Sequence, residues 1–256
     1  MCRDLKNKPL AEAIFELRWE LQDKAPSGEY IDAYYSMLIG ALYTKVKEEY
    51  GFHEPLPTAD IPDRFAPYTL QHRFRRGRNK WPLIQVGPGI ITLNDTENYV
   101  WTDFKERIFK LVDIILEIHP NSANMEFNSI YLLYIDAIEF DYESSEVFKF
   151  LKEKMKTEIN IYEGLFEDTG VITSPSVLDL RLSFPSTMPK GSINMRIAQG
   201  KKADKNSLIL ETAVISSGEN TPKDKNGIAI WVDSAHNLTH DWFFKIIEGD
   251  LLKEFE

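Results

Sequence analysis

The chain has 256 residues, 43% of them hydrophobic and 27% charged, which places it among ordinary globular proteins and excludes a disordered or fibrous chain. Its formal net charge of −10 argues against general affinity for nucleic acid or anionic membranes. The longest apolar runs, such as Ile130–Ile135, fall far short of the roughly 20 residues that span a bilayer, so no membrane association is expected.

Cys2 is the sole cysteine, so neither an internal disulfide nor a cysteine-based zinc site is expected. The opening residues carry no apolar signal-peptide core, and the expected compartment is the cytoplasm. Within Pro9–Leu21, Ala13, Phe15, Leu17 and Trp19 recur at every second position, the pattern of a half-buried strand. Ser27-Gly28 then introduces a predicted helix with Ile31, Tyr34, Tyr35, Leu38, Leu42 and Val46 on one face and Gly51 as its cap. Residues 53–67 hold four prolines and read as an irregular connection. Tyr68–Phe74 reads as a strand. Trp81–Val86 and Ile90–Asn94 flank Gly87-Pro88-Gly89 and read as a hairpin. From Trp101, the stripe Phe104, Ile108, Leu111, Ile115 and Ile118 predicts a helix that Pro120 prevents from continuing.

The second half repeats this order. Asn128–Asp141 reads as a long strand, followed by a helix capped by Ser144 or Ser145 and burying Val147, Leu151, Met155 and Ile159. Val177–Phe184, Ser192–Gln199 and Ser207–Ser216 alternate as strands, and Ile228–Val232 reads as a further one. A last helix, capped by Ser234, carries Ala235, Leu238, Trp242 and Ile246. The expected fold is therefore α+β. Two similar strand-helix-strands-helix halves, about 1–120 and 121–256, form one curved antiparallel sheet with helices packed on one face, all within a single domain.

Several segments together resemble a sporadically distributed prokaryotic family of proteins of about this length. They are Asn7-Lys8-Pro9-Leu10-Ala11-Glu12-Ala13-Ile14-Phe15-Glu16-Leu17-Arg18-Trp19, the run Gln85–Asn94 with Tyr99, Trp101 and Phe104, Tyr134-Ile135-Asp136-Ala137-Ile138, and Ala235-His236 with Phe243, Phe244 and Phe255. That family has no assigned activity. The resemblance implies one full-length unit and no reaction, and a sporadic distribution is what mobile or defence-associated genes show.

The strongest local anomaly is charge. Arg64, Arg73, Arg75, Arg76, Arg78 and Lys80 fall in a stretch without Asp or Glu, six positive charges that leave −16 for the rest of the chain. Tyr68, His72, Phe74 and Trp81 are interleaved. Guanidinium groups beside aromatic rings clamp phosphates and stack on bases, and equally well face an acidic protein. The competing reading is internal pairing on a charged edge strand. Lys190, Arg196, Lys201, Lys202 and Lys205 occupy the corresponding part of the second half. His236 and His240, spaced four apart with Asp233 and Asp241 nearby, are weak metal candidates. Asp136 sits inside an apolar strand and must be paired, protonated or on a wet face. No nucleotide loop or nucleophile elbow occurs, so no cofactor and no catalytic residue is assigned. The leading expectation is a non-enzymatic adaptor with a protein partner, an accessory subunit of a prokaryotic, defence-associated complex. The alternatives are a nucleic-acid or nucleotide binder using residues 73–80, and an enzyme of unrecognised type with its site in the concavity of the sheet.

Overall fold

The computed structural model describes residues 5–21, 23–24, 28–96, 98–142 and 145–256. Cys2, Ser27 and Ser144 lie outside the described residues. In chain order the elements are β1 (Leu10–Trp19), β2 (Asp23–Lys24), β3 (Tyr30–Ile31), α1 (Tyr35–Val46), β4 (Phe52–Pro55), β5 (His72–Arg75), β6 (Leu83–Gly87), β7 (Ile90–Asp95) and α2 (Trp101–Ile118). There follow β8 (Phe127–Glu139), α3 (Val147–Lys154), β9 (Asp179–Thr187), β10 (Lys190–Lys202), β11 (Lys205–Ser217), α4 (Lys225–Ile246) and α5 (Asp250–Phe255). Nine strands form one open sheet in the order β4-β5-β6-β7-β1-β8-β11-β10-β9, every neighbour antiparallel. Outwards from the central β1–β8 pair, the meanders β7-β6-β5 and β11-β10-β9 flank the two sides in the same order, with β4 added at one edge.

Alternation decides which face is covered. Phe15 stands between Leu93 and Leu132, and Leu17 between Ile91 and Ile130, all buried. These residues share a core with Leu38 and Leu42 of α1, Phe104, Ile108, Leu111 and Ile115 of α2, and Trp231, Val232 and Ala235 of α4. A second core gathers Ile138, Ile197, Leu208 and Leu210 of the sheet under Val147 and Leu151 of α3, Ile246 at the end of α4, and Leu251 and Leu252 of α5. Register places Ile138 on the same side of the sheet as Leu132, so all five helices cover one face. Each fully buried Leu, Ile or Phe contributes about 1.5–3 kcal/mol by leaving water.

The opposite face is polar. The Arg73 guanidinium donates to Gln85 Oε1 at 3.1 Å, Thr92 Oγ1 donates to Asn94 Oδ1 at 2.7 Å, and Asn94 Nδ2 donates to Glu12 at 2.7 Å. Arg196 bridges Glu211 and Asp179 on the other side, both at 2.8 Å.

The β6–β7 hairpin forms as its turn residues dictate. Gly89 has φ +74°, and a Cβ on Gly87 would stand 1.9 Å from the Thr69 carbonyl oxygen. Other expectations need correction. The first helix starts at Tyr35, because Tyr30–Ile31 pair with β2. Gly51 does not adopt a left-handed cap conformation; a Cβ there would meet the Lys47 carbonyl at 2.9 Å. The connection at 53–67 starts as strand β4, and β5 begins only at His72. Ile228–Val232 is helix rather than strand. Asp224 accepts from the Gly227 N–H at 2.7 Å and starts α4 ten residues before Ser234, whose hydroxyl instead donates to the Ile230 carbonyl inside the helix. Asp224→Ala is therefore expected to cost about 1 kcal/mol of stability and Ser234→Ala under about 0.5 kcal/mol, measured by urea unfolding.

Candidate functional site

Residues 73–80 of the basic stretch lie on β5 and in the turn beyond it, and Arg73, Arg75 and Arg76 have protein partners. Arg73 and Arg75 approach Glu54 of the adjoining edge strand at 3.5 and 3.4 Å. Arg75 is largely enclosed, and its guanidinium stands 5.5 Å from the Trp81 ring centre. Arg76 pairs with Glu49 at 2.7 Å, a carboxylate that also binds Arg107 and is held below the usual range against its own burial by those two arginines. Phe74 is wholly enclosed, stacked between Tyr43 and His53, so its ring offers no face to a base. Arg78 and Lys80 are exposed and have no acidic partner among the described residues. In the second half, Arg196 is paired as above, Lys205 meets Glu139 at 2.6 Å, and Lys202 donates to the Pro9 and Leu10 carbonyls.

A second site lies on the helix-covered face, where the two apolar cores leave a gap. It is a cavity of about 310 Å³. Its floor is Tyr134 and Asp136 of β8 and Thr212 of β11. Its walls come from the segment leading into β1 (Leu5, Lys8), the start of α2 (Val100, Trp101) and the middle of α4 (His236, His240, Phe243, Phe244). Antiparallel register sets the floor: Thr212 stands opposite Tyr134, and Leu210 opposite Asp136.

One wall is a chain of hydrogen bonds. Tyr99 and Tyr134 share a bond between hydroxyls at 2.9 Å, and the Tyr134 hydroxyl meets His236 Nδ1 at 2.9 Å. The His236 ring lies flat on Trp101, with centres 3.7 Å apart and planes 8° from parallel. Burial, reinforced by His240, pushes the imidazole pKa down to about 3, so His236 is neutral. His236 and His240 do share a side of α4, with ring centres 5.6 Å apart. Their expected carboxylate partners are engaged elsewhere, Asp233 with Lys105 at 2.6 Å and Asp241 with Lys245 at 2.7 Å. Among the described residues no cluster of three or more His, Cys, Asp or Glu is arranged to hold a metal ion.

The floor is less satisfied than the wall. Asp136 is 4% exposed, and among the described residues nothing donates a hydrogen bond to its carboxyl group. Burial pushes its pKa up to about 7, opposed by the charge of Lys202. Of the three alternatives expected for this residue the wet face is excluded, because its parity turns it inwards under α4. Thr212 is 0% exposed, and its Oγ1 has no hydrogen-bond partner among the described residues. Sequence reasoning gave no site role to Thr212, Trp101, Tyr99 or Lys8, although Lys8, Tyr99 and Trp101 lie in the segments that carry the family resemblance. The signal for Thr212 was a polar residue at core parity within Leu208, Leu210, Thr212 and Val214.

Comparison with protein families and with curated proteins finds no match for this chain. The family resemblance of the opening segment rests on its residues alone. No helix among the described residues is long and apolar enough to cross a membrane.

The folded state holds a proton on Asp136 up to about pH 7, whereas an unfolded aspartate loses it near pH 4. Asp136 therefore subtracts stability as pH rises through that window. His236 acts oppositely, subtracting stability as pH falls below the ordinary histidine value. Asp136→Asn is expected to be more stable than the parent at pH 8, with the advantage shrinking by on the order of 2–4 kcal/mol towards pH 4.5, measured by urea unfolding across pH.

Proposed function

We propose that this protein binds a small organic molecule in the cavity between its two cores. The observation that carries the reading is the pair of buried polar groups, Asp136 and Thr212, which face a largely apolar cavity and have no hydrogen-bond partner among the described residues. Buried polar groups are ordinarily satisfied, and leaving one unpaired costs about 1–3 kcal/mol. A ligand that supplies the missing bonds recovers that cost. The cavity is of ligand size, and aromatic walls with a few convergent polar groups are the usual make-up of such sites. A fragment library screened by ligand-observed NMR is expected to yield binders that shift the Trp101 and His236 side-chain resonances. A screen whose hits leave both resonances unmoved overturns the reading.

A second reading, an accessory subunit with a protein partner, is favoured by a different surface. Residues 157–178 connect α3 to β9 and expose Ile161, Tyr162, Leu165, Val171, Ile172 and Val177, and β9 itself exposes Phe184 on an unpaired sheet edge. Large exposed apolar patches mark interaction surfaces. The connection carries Glu158, Glu163, Glu167 and Asp168 and no basic residue, so the complementary partner is an apolar surface with a basic rim. A tagged chain is expected to recover one stoichiometric, nuclease-resistant protein, lost in the Ile172→Ser, Val177→Ser double variant. Undiminished recovery by the double variant would exclude this surface. The arginine strand favours a nucleic-acid reading less, since Arg73, Arg75 and Arg76 each have a carboxylate within 3.5 Å.

A further inference from the structure

The chemistry of the cavity floor specifies more than the presence of a ligand. Resting on the ligand-binding reading, we propose that the cavity selects an organic cation, an ammonium group on a compact apolar or aromatic body, with the ammonium seated on Asp136 and Thr212.

Geometry supports a shared seat. Thr212 is directly opposite Tyr134, and Asp136 is two residues further along the same face of β8. Diagonal neighbours of this kind are roughly 7 Å apart, a span that one ammonium group bridges with two hydrogen bonds of about 3 Å. The Thr212 hydroxyl can accept a hydrogen bond, and an ionised Asp136 only accepts; an ammonium group has three donors and no acceptor of its own. The floor therefore presents acceptors to a group made of donors.

The cations nearest the carboxyl do not fill this role. Lys202 is tied to the Pro9 and Leu10 carbonyls at 3.3 and 3.1 Å, and Lys8 to the Tyr99 carbonyl at 2.9 Å. Among the described residues the remaining titratable groups around the cavity are Tyr99, Tyr134, His236 and His240, and the positive charge of the chain's amino terminus also acts on His240. Burial holds both imidazoles below the ordinary histidine value, so they add no positive charge near neutral pH. The walls suit the body of such a molecule. Trp101, Phe243 and Phe244 offer aromatic surface, and an ammonium near such rings gains further attraction from their electron-rich faces. A carboxylate ligand would meet the opposite situation, an acidic floor under its charge.

The test uses three matched probes on the full chain, titrated by calorimetry: 2-phenylethylamine, 2-phenylethanol and 3-phenylpropanoate. The amine is expected to bind best, with affinity rising between pH 6 and pH 8 as Asp136 ionises. Asp136→Asn is expected to weaken the amine by about 30-fold or more, as for removal of one partner from a buried charge pair, and to leave the alcohol nearly unchanged. Thr212→Val is expected to weaken the amine several-fold, by roughly the worth of one hydrogen bond to a charged group. Equal binding of amine and alcohol, insensitive to Asp136→Asn, overturns the cation proposal and leaves the cavity as a ligand site. Preference for the phenylpropanoate overturns it as well. Silence from all three probes also overturns it, while the fragment screen separately decides whether the cavity binds anything.

Discussion

Pairing of β1 with β8 at the middle of the sheet is the contact from which the other elements hang. Leu10–Trp19 meets Phe127–Glu139 over nearly its whole length, and each strand is also paired on its far side, with β7 and β11. Because the side-chain period of a strand is two, this register turns Ala13, Phe15, Leu17 and Trp19 to the same side as Ile130, Leu132 and Tyr134. A one-residue slip would present Glu12, Glu16 and Arg18 to the helices and leave the apolar set in water. The helices α1, α2 and α4 can cover the sheet only with the register as it stands.

The same register creates the cavity. Along β8, the helix-facing buried positions run Ile130, Leu132, Tyr134, Asp136 and Ile138. The first three join one core and the last joins the other. Asp136 falls between, and Thr212 lies beside it on β11. Apolar side chains there would have merged the two cores. Polar ones keep them apart, and the space between is bounded by the start of α2 and the middle of α4. Within it the hydrogen-bond chain from Tyr99 through Tyr134 fixes the His236 ring, which the parallel Trp101 ring braces from its face. The wall's polar groups are hydrogen-bonded, and among the described residues the unsatisfied groups of the cavity are on its floor.

The two faces of the sheet divide polar chemistry differently. On the helix-free face, charged and amide groups pair with one another across strands, as Arg73 does with Gln85 and Arg196 with Asp179 and Glu211. Water screens such pairs, and each contributes little to stability. On the covered face burial disfavours the charged carboxylate, so the proton affinity of Asp136 rises. One strand can carry both kinds of residue because adjacent positions face opposite environments.

Local patterning settled much of this molecule. The period-two runs of β1, β8, β10 and β11, the glycine turn between β6 and β7, and the three-and-four stripe of α2 are set by side-chain geometry within a few residues, and each element was legible from its own segment. The start of α4 was not. The apolar run Ile228–Val232 fits either period, and the cap that decides it, Asp224, lies outside that run. Function depends on distances the chain order does not encode. The arginines stood out as a charge run, yet Glu49 and Glu54, which pair with them, are 19 to 27 residues away and reach them only through the β4–β5 pairing and the packing of α1. Asp136 was visible as an anomaly. That it lies buried beside Thr212, beneath His236 and next to Trp101, follows from four segments brought together by the sheet and α4, and only the tertiary structure decides that.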